Sequence, residues 1–179
     1  MKIIDYSNGI KVIKNYTTPE ICQKLVTMIN DEKARGRMFP WAEQENPNYI
    51  IKNPNPFGQT FIDKYVDDII EFVNAPVKLV REQTNFTLWP VGCGRFAHMD
   101  NDVTSIWYST ILYLNDDYEA GEIKFPLLDL TIKPEVGDVV VFTPFAPKMR
   151  HEVIAPKGNS RYTLAVWLQS EKPFYQETK

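Results

Sequence analysis

The sequence is poor in the residues that mark several common protein classes. Only two of its 179 residues are cysteines, Cys22 and Cys93, and they do not form a Cys-x-x-Cys pair. This excludes a disulfide framework and a zinc ribbon, and it predicts a reducing compartment. No segment approaches the roughly 20 apolar residues that a membrane span requires, and the N-terminus lacks the apolar stretch of a signal peptide. We therefore expect a cytoplasmic protein without a membrane partner.

An excess of charge of one sign is also missing. The 20 basic and 23 acidic side chains give a net charge of −3, and there is no dense run of Lys and Arg. Nucleic-acid binding usually leaves such a basic footprint, so no nucleic-acid partner is expected. With 44% hydrophobic and 24% charged residues, the chain has the balance of an ordinary globular domain.

Hydrophobic spacing predicts one domain over residues 1–179, with a helical part over about 1–75 and a jelly-roll core over about 76–170. Apolar residues at helical spacing predict helices over 18–31 and 59–73, and Thr17 and Glu20 have the spacing of a capping box. After residue 75 the pattern changes to short strands separated by turn signals. The predicted strands are 86–91, 106–114, 121–125, 128–132, 138–143, 152–154 and 162–169. The fold class is therefore mainly β with flanking helices.

The stretch 39–58 contains four prolines, which argue against regular structure apart from a short strand at 49–51. Long loops inside compact domains are usually functional or disordered. The aromatic side chains of this loop favour packing on the rest of the domain. We therefore interpret residues 39–58 as a candidate lid over a site.

Histidine is scarce as well, because His98 and His151 are the only two. His98 and Asp100 are two positions apart, so on a strand they would point to the same side and could hold one ion. A second imidazole would complete the two-histidine, one-carboxylate face of non-haem Fe(II) oxygenases, which leaves open positions on the metal. Only His151 can supply it. Taken alone, His-x-Asp is also a common pair of surface residues.

Arg161 opens the last apolar strand, ten residues after His151. Its guanidinium either lies exposed at the strand end or points into a pocket to bind an anion. In the second case two parallel hydrogen bonds would suit a carboxylate. The sequence pattern leaves both readings open.

Taken together, these residues resemble the 2-oxoglutarate/Fe(II) dioxygenase superfamily, and specifically its prolyl hydroxylase branch. The resemblance covers roughly residues 10–170. The matching segments are Phe96-Ala97-His98-Met99-Asp100-Asn101, Thr110-Ile111-Leu112-Tyr113-Leu114-Asn115, Gly121-Glu122-Ile123-Lys124-Phe125-Pro126, Lys133-Pro134 with Gly137-Asp138 and Phe142, and His151-Glu152-Val153 through Arg161-Tyr162 to Val166-Trp167.

The resemblance implies a double-stranded β-helix with N-terminal helices packed on one sheet. It also implies Fe(II) held by His98, Asp100 and His151, with 2-oxoglutarate and O₂ as cosubstrates, and it admits ascorbate. The distal carboxylate of 2-oxoglutarate would meet Arg161 and the Tyr113 hydroxyl, although Tyr113 as a plain core aromatic is the competing reading. Trp89 stands where relatives have a tyrosine that can touch the cosubstrate or the substrate.

The substrate is the part of the resemblance with the most alternatives. The first hypothesis is hydroxylation of a prolyl residue in a protein or peptide, with Trp167 and Arg95 among the substrate contacts. The second is hydroxylation of a free amino acid or other small molecule by the same residues. The third is a jelly-roll binding protein without turnover. Trp167 as a core residue and Arg95 as a surface residue are the competing structural readings, and the oligomeric state stays open.

Overall fold

Two antiparallel sheets and two helices form the framework of the protein. The structure is a computed structural model and describes residues 2–6, 8–41, 47–100 and 106–171. The helices are α1 (Pro19–Ala34) and α2 (Pro56–Val73). The strands are β1 (Lys2–Asp5), β2 (Ile10–Lys14), β3 (Phe39–Pro40), β4 (Tyr49–Ile51), β5 (Leu79–Trp89), β6 (Arg95–His98), β7 (Ile106–Tyr113), β8 (Glu119–Ala120), β9 (Ile123–Phe125), β10 (Leu130–Ile132), β11 (Val139–Phe142), β12 (His151–Val153), β13 (Pro156–Lys157) and β14 (Arg161–Ser170).

The larger sheet, called here the major sheet, has the strand order β1-β2-β11-β7-β14-β5-β4-β3. The minor sheet has the order β10-β9-β12-β6, and β8 pairs with β13 as a separate ribbon. Neighbouring strands in each sheet are often far apart in sequence, as expected for a jelly roll. The predicted fold class, mainly β with a double-stranded β-helix and flanking helices, is confirmed.

Alternation along the strands divides the core into two layers. In β14, Leu164, Val166 and Leu168 are fully buried and join the cluster that holds the apolar faces of both helices. In β11, Val140 and Phe142 face the other way and join a second cluster with Phe125 of the minor sheet. Successive strand side chains point to opposite faces, so the major sheet is covered by helices on one side and by the minor sheet on the other.

Capping residues set the start of each helix. The N-cap of α1 is Thr18, whose Oγ1 accepts a hydrogen bond from the Ile21 amide, so the predicted capping box from Thr17 was wrong by one residue. Asn55 caps α2 in the same way, since its Oδ1 accepts from the Gly58 amide at 2.9 Å. The helix therefore begins three residues before the predicted start at Gln59. Neither helix among the described residues combines the length and apolar content that a membrane crossing needs.

The first 75 residues contain both predicted helices together with strands that were not predicted. β1 and β2 form a hairpin, and β2 pairs with β11 inside the major sheet. The loop 39–58 is partly regular, because β3 and β4 extend the major sheet beyond β5 and α2 begins at Pro56. The strand predicted at 49–51 is present. Residues 42–46 of the lid hypothesis lie outside the described residues.

Candidate active site

Three side chains that could bind one metal ion lie together at one end of the minor sheet. The ligand atoms of His98, Asp100 and His151 all lie within 4.8 Å of one another. The His98 Nε2 is 3.5 Å from one Asp100 carboxylate oxygen, and the His151 Nε2 is 3.8 Å from the other. His98 ends β6 and His151 begins β12, and the two residues are direct partners in the register of this strand pair. Strand pairing thus closes a gap of 53 positions in sequence.

Asp100 reaches this cluster by a different route from the one predicted. It lies in the turn after β6 and not on the strand itself, so strand alternation does not apply to it. The turn folds the carboxylate back between the two imidazoles, and its side chain is only 10% exposed. The three residues come together as predicted, but Asp100 lies in a turn and not on a strand.

Backbone carbonyls fix how the two imidazoles are presented. The His98 Nδ1 lies 3.0 Å from the Phe96 carbonyl oxygen, and the His151 Nδ1 lies 3.2 Å from that of Met149. A carbonyl can only accept, so we assign the proton to Nδ1 in both rings. With an ion bound, each Nε2 would present its lone pair to the ion beside the Asp100 carboxylate. This arrangement fits Fe(II), because two neutral imidazoles and a carboxylate facing one point are the donors of non-haem iron sites.

The ionisation of the cluster also suits a metal. Burial lowers the pKa of His151 to about 4, so its ring is neutral near pH 7. Burial alone would raise the pKa of the Asp100 carboxyl, but its contacts with His98 and His151 hold that pKa well below the usual value. His151 also packs against Phe142 and Phe125, with ring centroids 4.8 Å and 5.8 Å away. These two rings make an apolar wall behind it.

Arg161 is the second feature of the site, and it is 98% buried without a carboxylate partner among the described residues. Its Nη1 donates to the Gly121 carbonyl at 2.8 Å, while its Nε is buried and has no hydrogen-bond partner. Its guanidinium carbon lies 4.6 Å from the ring centroid of Trp89. Burying an unpaired cation costs several kcal/mol of folding free energy. We therefore expect Arg161 to bind an anionic ligand.

The rings of Tyr113 and Trp89 both lie near that guanidinium. Tyr113 is buried, and its ring centroid lies 5.7 Å from the Arg161 guanidinium carbon. Burial raises the pKa of the Tyr113 hydroxyl to about 12, so it stays protonated and can donate. The Trp89 indole N–H already donates to the Thr163 hydroxyl at 3.3 Å. Trp89 therefore presents its ring face to Arg161, and its N–H is already used in the hydrogen bond to Thr163.

His98, Asp100 and His151 are called here the metal cluster, as the candidate ligands of one ion. One cavity of about 370 Å³ joins this cluster to Arg161. Along β14, Arg161, Thr163, Ala165 and Trp167 all line it, since they share one face of the strand. Their cross-strand partners on the adjacent strand β5 are Trp89, Thr87, Asn85 and Gln83. A cosubstrate with one end at the metal cluster and a carboxylate at Arg161 would lie along these rows.

Arg95 and Trp167, predicted as substrate contacts, line the same cavity. β6 is bulged here, because three steps along it, from His98 to Arg95, match only two steps along β12, from His151 to Val153. The bulge turns Arg95 toward the cavity. This bulge leaves Phe96 93% exposed on the outside. Trp167 stacks on Trp41 with ring centroids 6.2 Å apart.

Several lining residues were not predicted from the sequence. They are Trp41, Asn48, Glu82, Gln83, Asn85, Ser109, Thr163 and Ala165. Alternation from Arg161 would have marked Thr163 and Ala165 as facing the cavity. The others depend on strand neighbours and on a bulge that the sequence does not reveal.

Comparison with known proteins agrees with this geometry. Residues 85–169 match the family model described as the 2OG-Fe(II) oxygenase superfamily. Prolyl 3-hydroxylase 2 of Homo sapiens is 35% identical over 75 residues, which cover 39% of this chain, and the Rattus norvegicus protein matches equally well. The chain spans about a tenth of the length of these relatives.

Solved structures share the whole fold. A Trichoplax adhaerens prolyl hydroxylase, in complex with a peptide of hypoxia inducible factor, gives a TM-score of 0.77 at 18% identity, covering 92% of this chain and 85% of that one. A Pseudomonas putida prolyl-4-hydroxylase gives 0.73 at 20% identity, covering 93% and 95%. The viral collagen prolyl hydroxylase of Paramecium Bursaria Chlorella virus-1, in its 2OG complex, gives 0.71 at 17% identity, covering 93% and 98%.

The segment matched by the family model contains the metal-binding cluster, Arg161 and the strands that position them. Residues 85–169 thus match the 2OG-Fe(II) oxygenase superfamily in sequence, and the fold and the geometry of the cavity agree with that match.

Proposed function

We propose that this protein is a 2-oxoglutarate- and Fe(II)-dependent dioxygenase that hydroxylates prolyl residues of a protein or peptide. One observation carries the proposal. A cluster of two histidines and an aspartate stands at one end of a cavity, and an arginine without an acidic partner among the described residues stands at the other. Bound Fe(II) with 2-oxoglutarate supplies oxidising power from O₂, with release of succinate and CO₂.

The roles of the protein's own residues follow from their positions. His98, Asp100 and His151 would hold the metal, and near pH 7 His151 is neutral and Asp100 is ionised, which are the forms that ligate. Arg161 would bind the distal carboxylate of 2-oxoglutarate, with the Tyr113 hydroxyl as a second donor and the Trp89 ring as a support. The aromatic wall of Phe125 and Phe142 would keep water away from the metal.

The prolyl substrate is supported by the relatives and by the shape of the site. The relatives are prolyl hydroxylases, and one solved neighbour holds a peptide. Trp167 and Arg95 line the cavity beyond the metal cluster, where a substrate would enter, and we propose both as substrate contacts. Both cysteines of the chain are buried and neither forms a disulfide, which supports a reducing, cytoplasmic location.

The decisive experiment has two stages. Anaerobic addition of Fe(II) and 2-oxoglutarate should give a visible charge-transfer band, and His98→Ala should abolish it. Peptides captured from a lysate by an inactive variant are then incubated with active enzyme, O₂ and ascorbate, and proline is examined for the added mass of one oxygen atom. Succinate release with small molecules alone would favour a free amino acid substrate. A missing band in the wild-type protein would favour a binding protein without turnover.

A further inference from the structure

We propose that the mouth of the cavity carries a subsite for a positively charged side chain of the substrate, formed by Glu82, Trp41 and Trp167. This subsite deepens the proposed function and rests on it. It would select substrates with a lysine or arginine close to the residue that is hydroxylated.

The position of Glu82 results from a bulge in the longest strand pair. Trp167 is paired with Gln83, but the next residue of β14, Leu168, is paired with Arg81. Glu82 is therefore left without a cross-strand partner. Regular alternation would turn Glu82 away from the face that Gln83 presents, yet both residues line the cavity. Bulges commonly re-aim a side chain beside an active site, and this one brings a carboxylate to the mouth.

The Glu82 carboxylate is not neutralised within the part of the chain that the structure describes. Its neighbour Arg81 forms an ion pair with Asp63 of α2 at 3.1 Å, outside the cavity. Arg161 lies six residues from Trp167 along β14, which is roughly 20 Å away at the other end of the cavity. Arg95 lies across the cavity on β6 of the minor sheet. The major-sheet side of the mouth thus has one acidic group and no basic one among the described residues.

Two indole rings line the same cavity as Glu82. Trp167 is the residue next to the bulge, and Trp41 stacks on it with ring planes only 6° apart. The faces of tryptophan rings attract cations more strongly than those of other aromatic side chains. An acidic group next to indole faces is therefore complementary to an ammonium or guanidinium group on an aliphatic stem. The amides of Gln83 and Asn85 make the same wall unsuitable for a purely apolar side chain.

The position of Trp167 relative to the metal cluster also determines where a substrate must carry its positive charge. Trp167 is opposite Ser109 of β7, and both line the cavity together with Asp100 of the metal cluster. A group held between the indoles and Glu82 would be close to the reacting carbon. We therefore expect the basic residue within a few positions of the hydroxylated one. A free basic amino acid would offer the same chemistry in a smaller molecule.

The test uses the full chain and a set of capped peptides, each with one proline and one lysine placed at successive flanking positions. Matched peptides carry norleucine or glutamate in place of lysine. With Fe(II), 2-oxoglutarate and O₂, kcat/KM should be about tenfold higher for at least one lysine peptide than for its norleucine match. This preference should weaken as salt is added. Free lysine and arginine are assayed in parallel, and turnover of these alone would place the same subsite in a small-molecule enzyme.

Two variants decide the assignment. Glu82→Gln should bring the lysine-to-norleucine ratio close to one while the KM for 2-oxoglutarate stays unchanged, and Glu82→Lys should favour the glutamate peptide. Glu71→Gln, an exposed acid-to-amide change on α2, is the matched control and should leave the ratio as it is in the wild type. An equal preference in wild type and Glu82→Gln would overturn the proposal.

Failure of the subsite can be separated from failure of the proposed function. Binding of the same peptides is measured on the metal-free protein by the fluorescence of its tryptophans and by calorimetry. A lysine preference that depends on Glu82 supports the subsite even if no turnover occurs. Absence of that preference, together with normal succinate release, removes the subsite and leaves the oxygenase in place.

Discussion

The guanidinium carbon of Arg161 lies 4.6 Å from the ring centroid of Trp89, and the two residues are direct partners in the register of β14 and β5. The indole N–H of Trp89 is engaged by Thr163 on the same strand as Arg161. Trp89, itself held by Thr163, therefore helps to fix the position of one buried cation before any ligand arrives. Such pre-organisation lowers the entropy that binding would otherwise cost.

Replacing Arg161 should weaken the binding of 2-oxoglutarate and leave metal binding intact. Arg161→Lys keeps a charge but loses the fork of donors, and Arg161→Ala loses both. A charge-assisted contact is typically worth ~1.5–3 kcal/mol, so the alanine variant should raise the KM for 2-oxoglutarate by about 10- to 100-fold. Arg81→Lys on the neighbouring strand is the control and should not change this KM. An unaltered KM in Arg161→Ala would remove the residue from the cosubstrate site.

Trp89 should act through Arg161 and not through its own N–H. Trp89→Phe keeps an aromatic face, whereas Trp89→Leu removes it. The KM for 2-oxoglutarate should therefore rise by roughly fivefold in Trp89→Leu, corresponding to about 1 kcal/mol, and by less in Trp89→Phe. Steady-state kinetics with succinate detection measures both. Equal effects of the two substitutions would show that the ring face contributes nothing.

Gly121 should link local packing to the anion site. Its φ is +75°, and a Cβ added there would lie 2.5 Å from the Tyr118 ring. Its carbonyl also accepts from Arg161, so displacement of this backbone should move the guanidinium. Gly121→Ala should lower the free energy of unfolding by about 1–3 kcal/mol and raise the KM for 2-oxoglutarate.

Gly158→Ala provides the matched control for this change. Gly158 has nearly the same φ, +76°, but nothing lies within 4 Å of its added Cβ. It should show only the backbone strain, on the order of 1 kcal/mol, with an unchanged KM. Urea unfolding and kinetics on the two variants separate strain from contact. If both variants behave alike, the contact with Tyr118 is unimportant.

Acidification should destabilise the metal-free protein through His151. Its pKa is about 4 when folded, against about 6.5 in an unfolded chain, so the unfolded state binds more protons between these values. The free energy of unfolding should therefore fall as the pH drops from 6.5 to 4, by up to about 3 kcal/mol. The lowered pKa of Asp100 acts in the same direction at still lower pH. Urea unfolding at several pH values should show a flatter profile in His151→Gln, and identical profiles would contradict this assignment.

The sequence predicted that His98, Asp100 and His151 come together, but it predicted their local geometry less well. With only two histidines in the chain, His151 was the sole partner available to His98. That the two are direct partners in one strand pair depends on which strands neighbour each other in the minor sheet, and periodicity within one strand does not specify its neighbours. Asp100 was expected on the strand, but the strand ends at His98 and a turn places the carboxylate.

The N-terminal hairpin shows a signal in the sequence that was missed. Asn8 and Gly9 lie in the short connection between β1 and β2 and both have positive φ, 54° and 82°. An Asn-Gly pair before alternating apolar residues is a strong hairpin signal. Alternating apolar residues in β2 follow, with Ile10 and Val12 buried. This signal is short and weak beside the long helical pattern that follows it in the sequence. In contrast, no local pattern marks Glu82, because a bulge depends on the register between two distant strands.

The two halves of the candidate site belong to different sheets. The histidines lie on the minor sheet, whereas Arg161 lies on the major sheet, and the cavity separates them. A molecule that contacts both would link the two sheets, which otherwise meet mainly through apolar packing. Metal and cosubstrate together should then stiffen the barrel more than the sum of their separate effects. The protein's rigidity would thus depend on its cosubstrate supply.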